Sequence, residues 1–382
     1  MKADIFEDLF VLEMANNHLG KLERGLAIVD KFSKIVRFNN VRATIKIQLR
    51  DVNTLIHANY RQREDIRYIK KTLHTAMPPE NYVALVNAVR KSGALTSATP
   101  FDETSVDLCV NLGIQIIKLA SSDLNDWFLI EKIAKTRKPV IASTGGSSLK
   151  DIDDLVTFFE NRNIPLAINH CVSLYPTEDS ELELNQVDFL KNRYPNVTVG
   201  FSSHEYHSWD ASMYIAYAKG ARTFERHIDI EADGVQISPY CSSPAQTDTW
   251  FKAFRKAKEM CGGGAQSKRV PPASEIKYLD ALVRGVYARR DLPTGAALSD
   301  DDVYLAIPLL KGQISCRELM RGEVLLRAVK KDAPLSIDDI DSPYSYSESL
   351  KKTIYDRGLD PASSEDPAAK GSKGVDQSNK MP

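Results

Sequence analysis

The chain has 382 residues, 43% of them hydrophobic and 26% charged, a balance that excludes a wholly disordered or fibrous protein. Its 50 Lys and Arg face 51 Asp and Glu, and the resulting net charge of −1 lacks the basic footprint of a dedicated nucleic-acid binder. No run approaches the ~18 apolar residues of a membrane helix, and the opening MKADIFEDLFVLEMANNH carries acids where an export signal needs bases, so a cytoplasmic protein is expected.

At roughly 100–200 residues per domain the length suits two or three domains, and one α/β barrel absorbs about 250 residues. In chain order, β-rich runs fall at 9–14, 43–49, 94–99, 115–121, 139–144, 165–171, 197–203 and 222–228. Between them lie stretches with apolar i, i+3, i+4 spacing, such as GLAIVDKFSKIV, YVALVNAVRKSG and DLVTFFENR. Gly93, Gly113 and Gly220 stand where helices end. Alternating strands and helices imply parallel strands with right-handed crossovers, and eight strands predict a (β/α)8 TIM barrel over residues 1–262. The runner-up, an open doubly wound sheet, is weakened because no GxGxxG follows the first strand.

A Gly-rich and Pro-Pro stretch predicts a linker over 263–280. Residues 281–341 form a smaller β-rich unit with an internal echo: ARRDLPTGAALSDDDV at 288–303 is answered by AVKKDAPLSIDDI at 328–340. Residues 342–382 are rich in Ser, Lys, Asp and Pro and read as a disordered tail. The five cysteines have long spacings and no CxxC, which argues against a disulfide framework or a structural zinc site.

In a β/α barrel the active site is built from polar side chains at the C-terminal strand ends. Here those ends carry Glu13; Lys46 and Gln48; Thr99; Lys118, Ser121 and Asp123; Ser143; Ser173 and Tyr175; Ser202 and His204; Glu225 and His227. One such residue is ordinarily a solvated strand end, but seven or eight strands in register call for a shared site. Strand side chains alternate, so Lys46 and Gln48 share a face opposite Ile45 and Ile47, and Glu225 shares one with His227. The lysines and hydroxyls make a cradle suited to a phosphate or phosphorylated carboxylate. His204 and His227, on adjacent strand ends, suit either a structural role or a divalent transition metal with open positions. Glu13 and Asp123 are the carboxylates available for acid–base work. Cys171, beside His170, has no identifiable activating partner. His18, His170 and His207 stay unassigned.

These motifs resemble the sialic acid synthase family, which condenses phosphoenolpyruvate with an amino-sugar aldose. LEMANNHLG resembles the family's Glu-x-x-x-Asn-His-x-Gly opening, KIQ its Lys-Phe-Gln strand, and TPFDETSVDLCVNLGIQIIKLASSD its Thr-Pro-Phe-Asp…Lys-Ile-Ala-Ser-Gly-Asp segment. KPVIASTGG, INHCVSLYPT, GFSSHE and FERHIDIE match further family motifs in order. Residues 281–341 resemble the antifreeze-like SAF domain at the C-terminus of these synthases. The resemblance implies phosphoenolpyruvate contacts at Lys46, Thr99, Lys118, Ser121, Ser143, Ser173 and Ser202, and sugar contacts at Gln48 and Tyr175. It implies metal ligands at His204 and His227 for Mn²⁺ or Mg²⁺, proton transfer by Glu13 and Asp123, and a domain-swapped homodimer.

Three departures stand out. Gln236 occupies the place of an Asp that touches the sugar. Ala306 stands where the SAF domain carries an Arg, and Ser203 replaces the Asp before the metal histidine. The phosphoenolpyruvate and metal half is thus intact while the sugar half is altered. The expected activity is metal-dependent condensation of phosphoenolpyruvate with an N-acetylmannosamine-like aldose to a nonulosonic acid. The alternatives are a synthase using a different phosphorylated aldose and a catalytically silent carbohydrate-binding protein; the intact lysines and paired histidines weigh against silence.

Overall fold

The computed structural model describes residues 4–232, 234–263, 267–319 and 322–360, and the chain divides into two compact units at Gly262. In the first unit β1 (Leu9–Ala15), β2 (Ala43–Leu49), β3 (Leu95–Pro100), β4 (Ile116–Leu119), β5 (Val140–Ser143), β6 (Leu166–Cys171), β7 (Thr198–Ser203) and β8 (Thr223–Ile228) pair in parallel, each with the next in sequence. β8 pairs back onto β1, which closes the barrel and excludes the open sheet.

Alternation along β1 shows how the sequence builds both layers. Leu9 and Val11 point inward and join Ile116, Ile141 and Ala167 in the barrel's apolar floor. Phe10 points outward and meets Trp250, Phe251 and Phe254 edge-on at 5.0, 4.7 and 5.0 Å. Those rings lie on helix Pro244–Cys261, which begins at a Ser243–Gln246 capping box with Pro at its first position. The inward face of β1 continues from Leu9 and Val11 to Glu13, so one period-2 stripe climbs from floor to mouth. Glu13 is in register with Lys46 on β2 and with His227 on β8.

One insertion breaks the βα rhythm. Between β2 and the crossover helix Pro79–Lys91 lie the short helices Val52–Leu55 and Arg67–His74 and a 3₁₀ turn at Ala58–Tyr60. Asp51 caps the first of these by accepting from the Asn53 and Thr54 amides. No helix among the described residues is long and apolar enough to cross a membrane.

The second unit holds two short antiparallel ladders, Gly285–Ala288 with Val303–Ala306 and Val324–Leu325 with Ile340–Asp341. The two echoed segments each form a Ser-x-x-Asp box: Ser299 Oγ donates to Asp302 at 2.6 Å, and Ser336 is capped by Asp339. The expected linker and tail need correction. Helix Ala273–Asp280 occupies much of 263–280, and Asp280 pairs with Arg317 at 3.0 Å. Helix Glu348–Tyr355 lies in the expected tail and buries Ile354 among Val286, Leu335 and Ile340 of the unit's core. A single apolar anchor on a polar helix leaves little compositional signal. Residues 361–382 of that expected tail lie outside the described residues.

Candidate active site

The C-terminal strand ends enclose a cavity of about 1150 Å³. Glu13, Lys46, Gln48, Thr99, Lys118, Ser121, Ser143, Ser173, Tyr175, Ser202, His204 and His227 all line it. Two expected residues do not. Asp123 falls in the 3₁₀ turn Ser121–Asp123, which breaks strand alternation and presents Ser121 to the cavity instead. Its carboxyl is raised by burial and accepts from Ser122 Oγ at 2.8 Å. Gln236 is exposed on an irregular segment after β8 and is not part of the lining.

The electrostatic centre is Lys46. Its ammonium contacts Glu13 and lies 2.6 Å from Glu225, with all three side chains buried. Burial pushes the Glu13 carboxyl up against the opposing pull of Lys46. At Glu225 burial acts in the same sense, but Lys118 and Lys46 outweigh it and hold that carboxyl below its ordinary value. Two carboxylates on one ammonium thus have their proton affinities driven apart, Glu13 upward and Glu225 downward. A β-bulge between Glu13 and Ala15 aims the Glu13 carboxylate back at the Ala15 amide.

Lys118 differs. It donates to Ser143 Oγ at 2.7 Å and to the Leu119 carbonyl at 2.9 Å, with no carboxylate within 4.0 Å among the described residues. Burial lowers its ammonium pKa, with Glu225 opposing. Nearby, Thr99 Oγ1 is buried without a hydrogen-bond partner. A dry cation beside an unsatisfied hydroxyl is a site for an anion with acceptor oxygens. The Gly145 amide donates to Ser121 Oγ at 3.1 Å, and a Cβ at Gly145 would collide with Ser173 Oγ, so a larger residue there would have to displace that hydroxyl.

The imidazoles of His204 and His227 have ring centroids 5.4 Å apart. His204 Nδ1 lies 2.9 Å from the Val172 carbonyl, which only accepts, so Nδ1 carries the proton and Nε2 keeps its lone pair. His227 Nδ1 is buried without a partner. Burial depresses both, His204 to about 4, so both are neutral imidazoles with a free donor nitrogen. Among the described residues no group of three or more His, Cys, Asp or Glu is gathered for a metal. The pair therefore fits an ion that takes two protein nitrogens and fills its remaining positions with water or substrate oxygen. His18 accepts from the Gly20 amide, while His170 bonds the Leu182 carbonyl at 2.7 Å and stacks on Phe201; both are structural.

Sequence reasoning placed Glu225 at the mouth without giving it a role. It missed Arg50, Arg67, Lys71 and Tyr240, which also line the cavity. Arg50 lies two residues beyond Gln48 on the same period-2 face, a signal present in the sequence; Arg67 and Lys71 sit on the inserted segment, where no period announces them.

Residues 40–266 match the NeuB family and residues 283–341 the SAF domain. An N-acetylneuraminate-9-phosphate synthase from Drosophila melanogaster is 30% identical over 68% of this chain and 66% of its own length. A pseudaminic acid synthase from Campylobacter jejuni is 26% identical, covering 78% of this chain and 86% of that protein. The crystal structure of a Chromobacterium violaceum protein, provisionally named spore coat polysaccharide biosynthesis protein E, superposes with a TM-score of 0.84 at 36% identity, covering 88% of this chain and all of that one. With the closed barrel, the lysine–carboxylate centre and the matched segment in agreement, this chain belongs to the NeuB family.

Proposed function

We propose that this chain condenses phosphoenolpyruvate with an aldose to give a nonulosonic acid and phosphate. The observation that carries the reading is Lys118, a buried cation with hydroxyl neighbours and no carboxylate of its own, in a cavity that also holds paired neutral imidazoles. The names of relatives such as the pseudaminic acid synthase support the same class of product.

In this reading Lys118, Ser143 and Thr99 bind the phosphoenolpyruvate anion and exclude water from it. His204 and His227 hold a divalent cation, Mn²⁺ or Mg²⁺, which when bound polarises the acceptor's carbonyl. The vinyl C3 of phosphoenolpyruvate forms the new bond to the aldehyde carbon, and C2 is left as an oxocarbenium-like centre. Glu13 gives its proton to the aldehyde oxygen and, as carboxylate, takes one from the water that adds at C2. Phosphate departs by C–O cleavage as the new hydroxyl collapses to a ketone. Lys46 keeps Glu13 placed, and the Glu225 anion stabilises the positive charge at C2. We propose further, from the family resemblance, that the chain works as a domain-swapped homodimer, for which scattering mass in solution is the test.

Purified protein supplied with phosphoenolpyruvate, Mn²⁺ and a panel of aldoses tests the reaction. Stoichiometric phosphate release with a product heavier than the aldose by the elements of pyruvate is expected. Phosphate release that is identical with and without every aldose overturns it.

A further inference from the structure

The segment 50–78 treats its cations in two ways. Outward-facing Arg63 pairs with Asp65 at 2.6 Å, and His74 lies 3.0 Å from Glu64. Arg61 donates to the Ile56 and Asn53 carbonyls. The three cations that line the cavity from β2's end and this segment, Arg50, Arg67 and Lys71, have no carboxylate within 4.0 Å among the described residues. Among the described residues Arg50 donates only to the neutral amide of Gln48, at 2.8 Å, and it packs its guanidinium over Phe101 at 4.1 Å. The Lys71 ammonium is lowered first by burial and then by the Arg50 and Arg67 charges, so it feels both neighbours.

Like charges gathered without counter-ions destabilise the empty protein, and an incoming anion removes that repulsion. Phosphoenolpyruvate does not account for the cluster. Its own anion is met by Lys118 and the hydroxyls of β3 to β5, which come from other elements. The Lys46 charge is already matched by Glu13 and Glu225. The planar forks of two arginines plus one ammonium suit a phosphate monoester, with its several oxygens and double charge, better than a neutral hydroxyl.

We infer that Arg50, Arg67 and Lys71 form a second anion subsite, and that the acceptor is an aldose carrying a phosphate monoester at the end remote from its aldehyde. This rests on the condensing-enzyme reading and names its substrate class. The altered sugar-side position Gln236 agrees with it, since that residue is exposed. Recognition that rests on a phosphate has less need of a carboxylate aimed at sugar hydroxyls.

The test compares N-acetylmannosamine, its 6-phosphate and the corresponding 6-carboxylate in two assays: turnover with phosphoenolpyruvate, and direct calorimetric binding to the metal-loaded enzyme without phosphoenolpyruvate. The 6-phosphate is expected to exceed the neutral sugar by about 10-fold or more in both. Arg67→Gln with Lys71→Met should remove most of that advantage, while Arg63→Gln, whose side chain faces its Asp65 partner, keeps it. If the carboxylate sugar matches the phosphate sugar, the phosphate assignment is overturned. If the neutral sugar binds and reacts as well as either, the subsite itself is overturned. If nothing turns over but the phosphate sugar binds with an advantage that Arg67→Gln abolishes, the subsite stands and the condensation reading falls.

Discussion

Arg226 and Glu205 form an ion pair, Nη1 to Oε1 at 3.0 Å, with side chains only 2% and 0% exposed. Arg226 lies between Glu225 and His227 on β8, and Glu205 follows His204 directly. The guanidinium also donates to Ser242 Oγ at 2.6 Å, Ser203 Oγ at 3.1 Å and the Glu205 carbonyl at 2.8 Å. One buried side chain thus bolts the end of β7 to β8 and fixes the separation of the two imidazoles. It also gives Ser203 a task, as a neutral acceptor beside a guanidinium already matched by Glu205.

Glu205→Ala should destabilise the protein by about 3–5 kcal/mol in chemical denaturation, because it strands a buried guanidinium. Replacing both partners, Glu205→Leu with Arg226→Met, should regain most of that stability and still lose metal affinity. Full metal affinity in the double variant would show that the pair does not position His204.

Lys118→Met is expected to raise the KM for phosphoenolpyruvate about 10-fold or more, since a charge-assisted contact contributes roughly 1.5–3 kcal/mol. Lys46→Met should act otherwise, because that ammonium is already engaged by Glu13 and Glu225. The two carboxylates would lose the cation that both face, and kcat should fall more than KM rises. Steady-state kinetics on both variants separate the roles; the same KM effect in each would refute the distinction.

Chelator should abolish turnover, and added Mn²⁺ should restore it. His204→Ala should lower bound Mn²⁺, counted by its electron paramagnetic resonance signal, and activity together. A His204→Ala protein that binds Mn²⁺ as tightly as the parent would remove His204 from the ligand set.

His18 supplies a pH prediction separate from the chemistry. It is fully buried, and burial, aided by Arg50, lowers its pKa to about 4. Its Nδ1 accepts from the Gly20 amide at 3.1 Å, so protonation would set two donors against each other. Between the unfolded pKa of ~6.5 and the folded value of about 4 the unfolded chain binds more protons, so stability falls as pH drops through that window. His18→Gln should flatten the fall by up to about 3 kcal/mol. The difference between parent and variant isolates His18 from the other buried histidines, and parallel curves from pH 7 to 4 would refute it.

The barrel was legible because its strands are short, β-branched and separated by strongly periodic helices. Glu13, Lys46 and Lys118 were legible because a charge on the inward face of such a strand is costly to bury unless a partner or a ligand meets it. Segment 50–78 was not, since its helices are too short to show a period and its cations look like an ordinary solvated surface. Asp123 was misplaced because strand alternation ends at the 3₁₀ turn that begins with Ser121. Ile354 was hidden because its helix is otherwise polar, and the core it joins includes Val286 on a strand far earlier in the chain as well as the nearer Leu335 and Ile340.

The contact of Lys46 with both Glu13 and Glu225 has a bearing on how this protein matures and diversifies. β1, β2 and β8 flank the seam where the barrel closes, and Lys46 and Glu225 are 179 residues apart in sequence. Such distant partners meet late in folding, so a chain whose last strand has not docked holds no assembled reaction centre. The segment 50–78 lies outside the hydrogen-bonded ladder of the barrel. Its side chains can change without reopening the seam, so under the role proposed for Arg50, Arg67 and Lys71 the choice of sugar would be separable from the bond-forming centre that closure assembles.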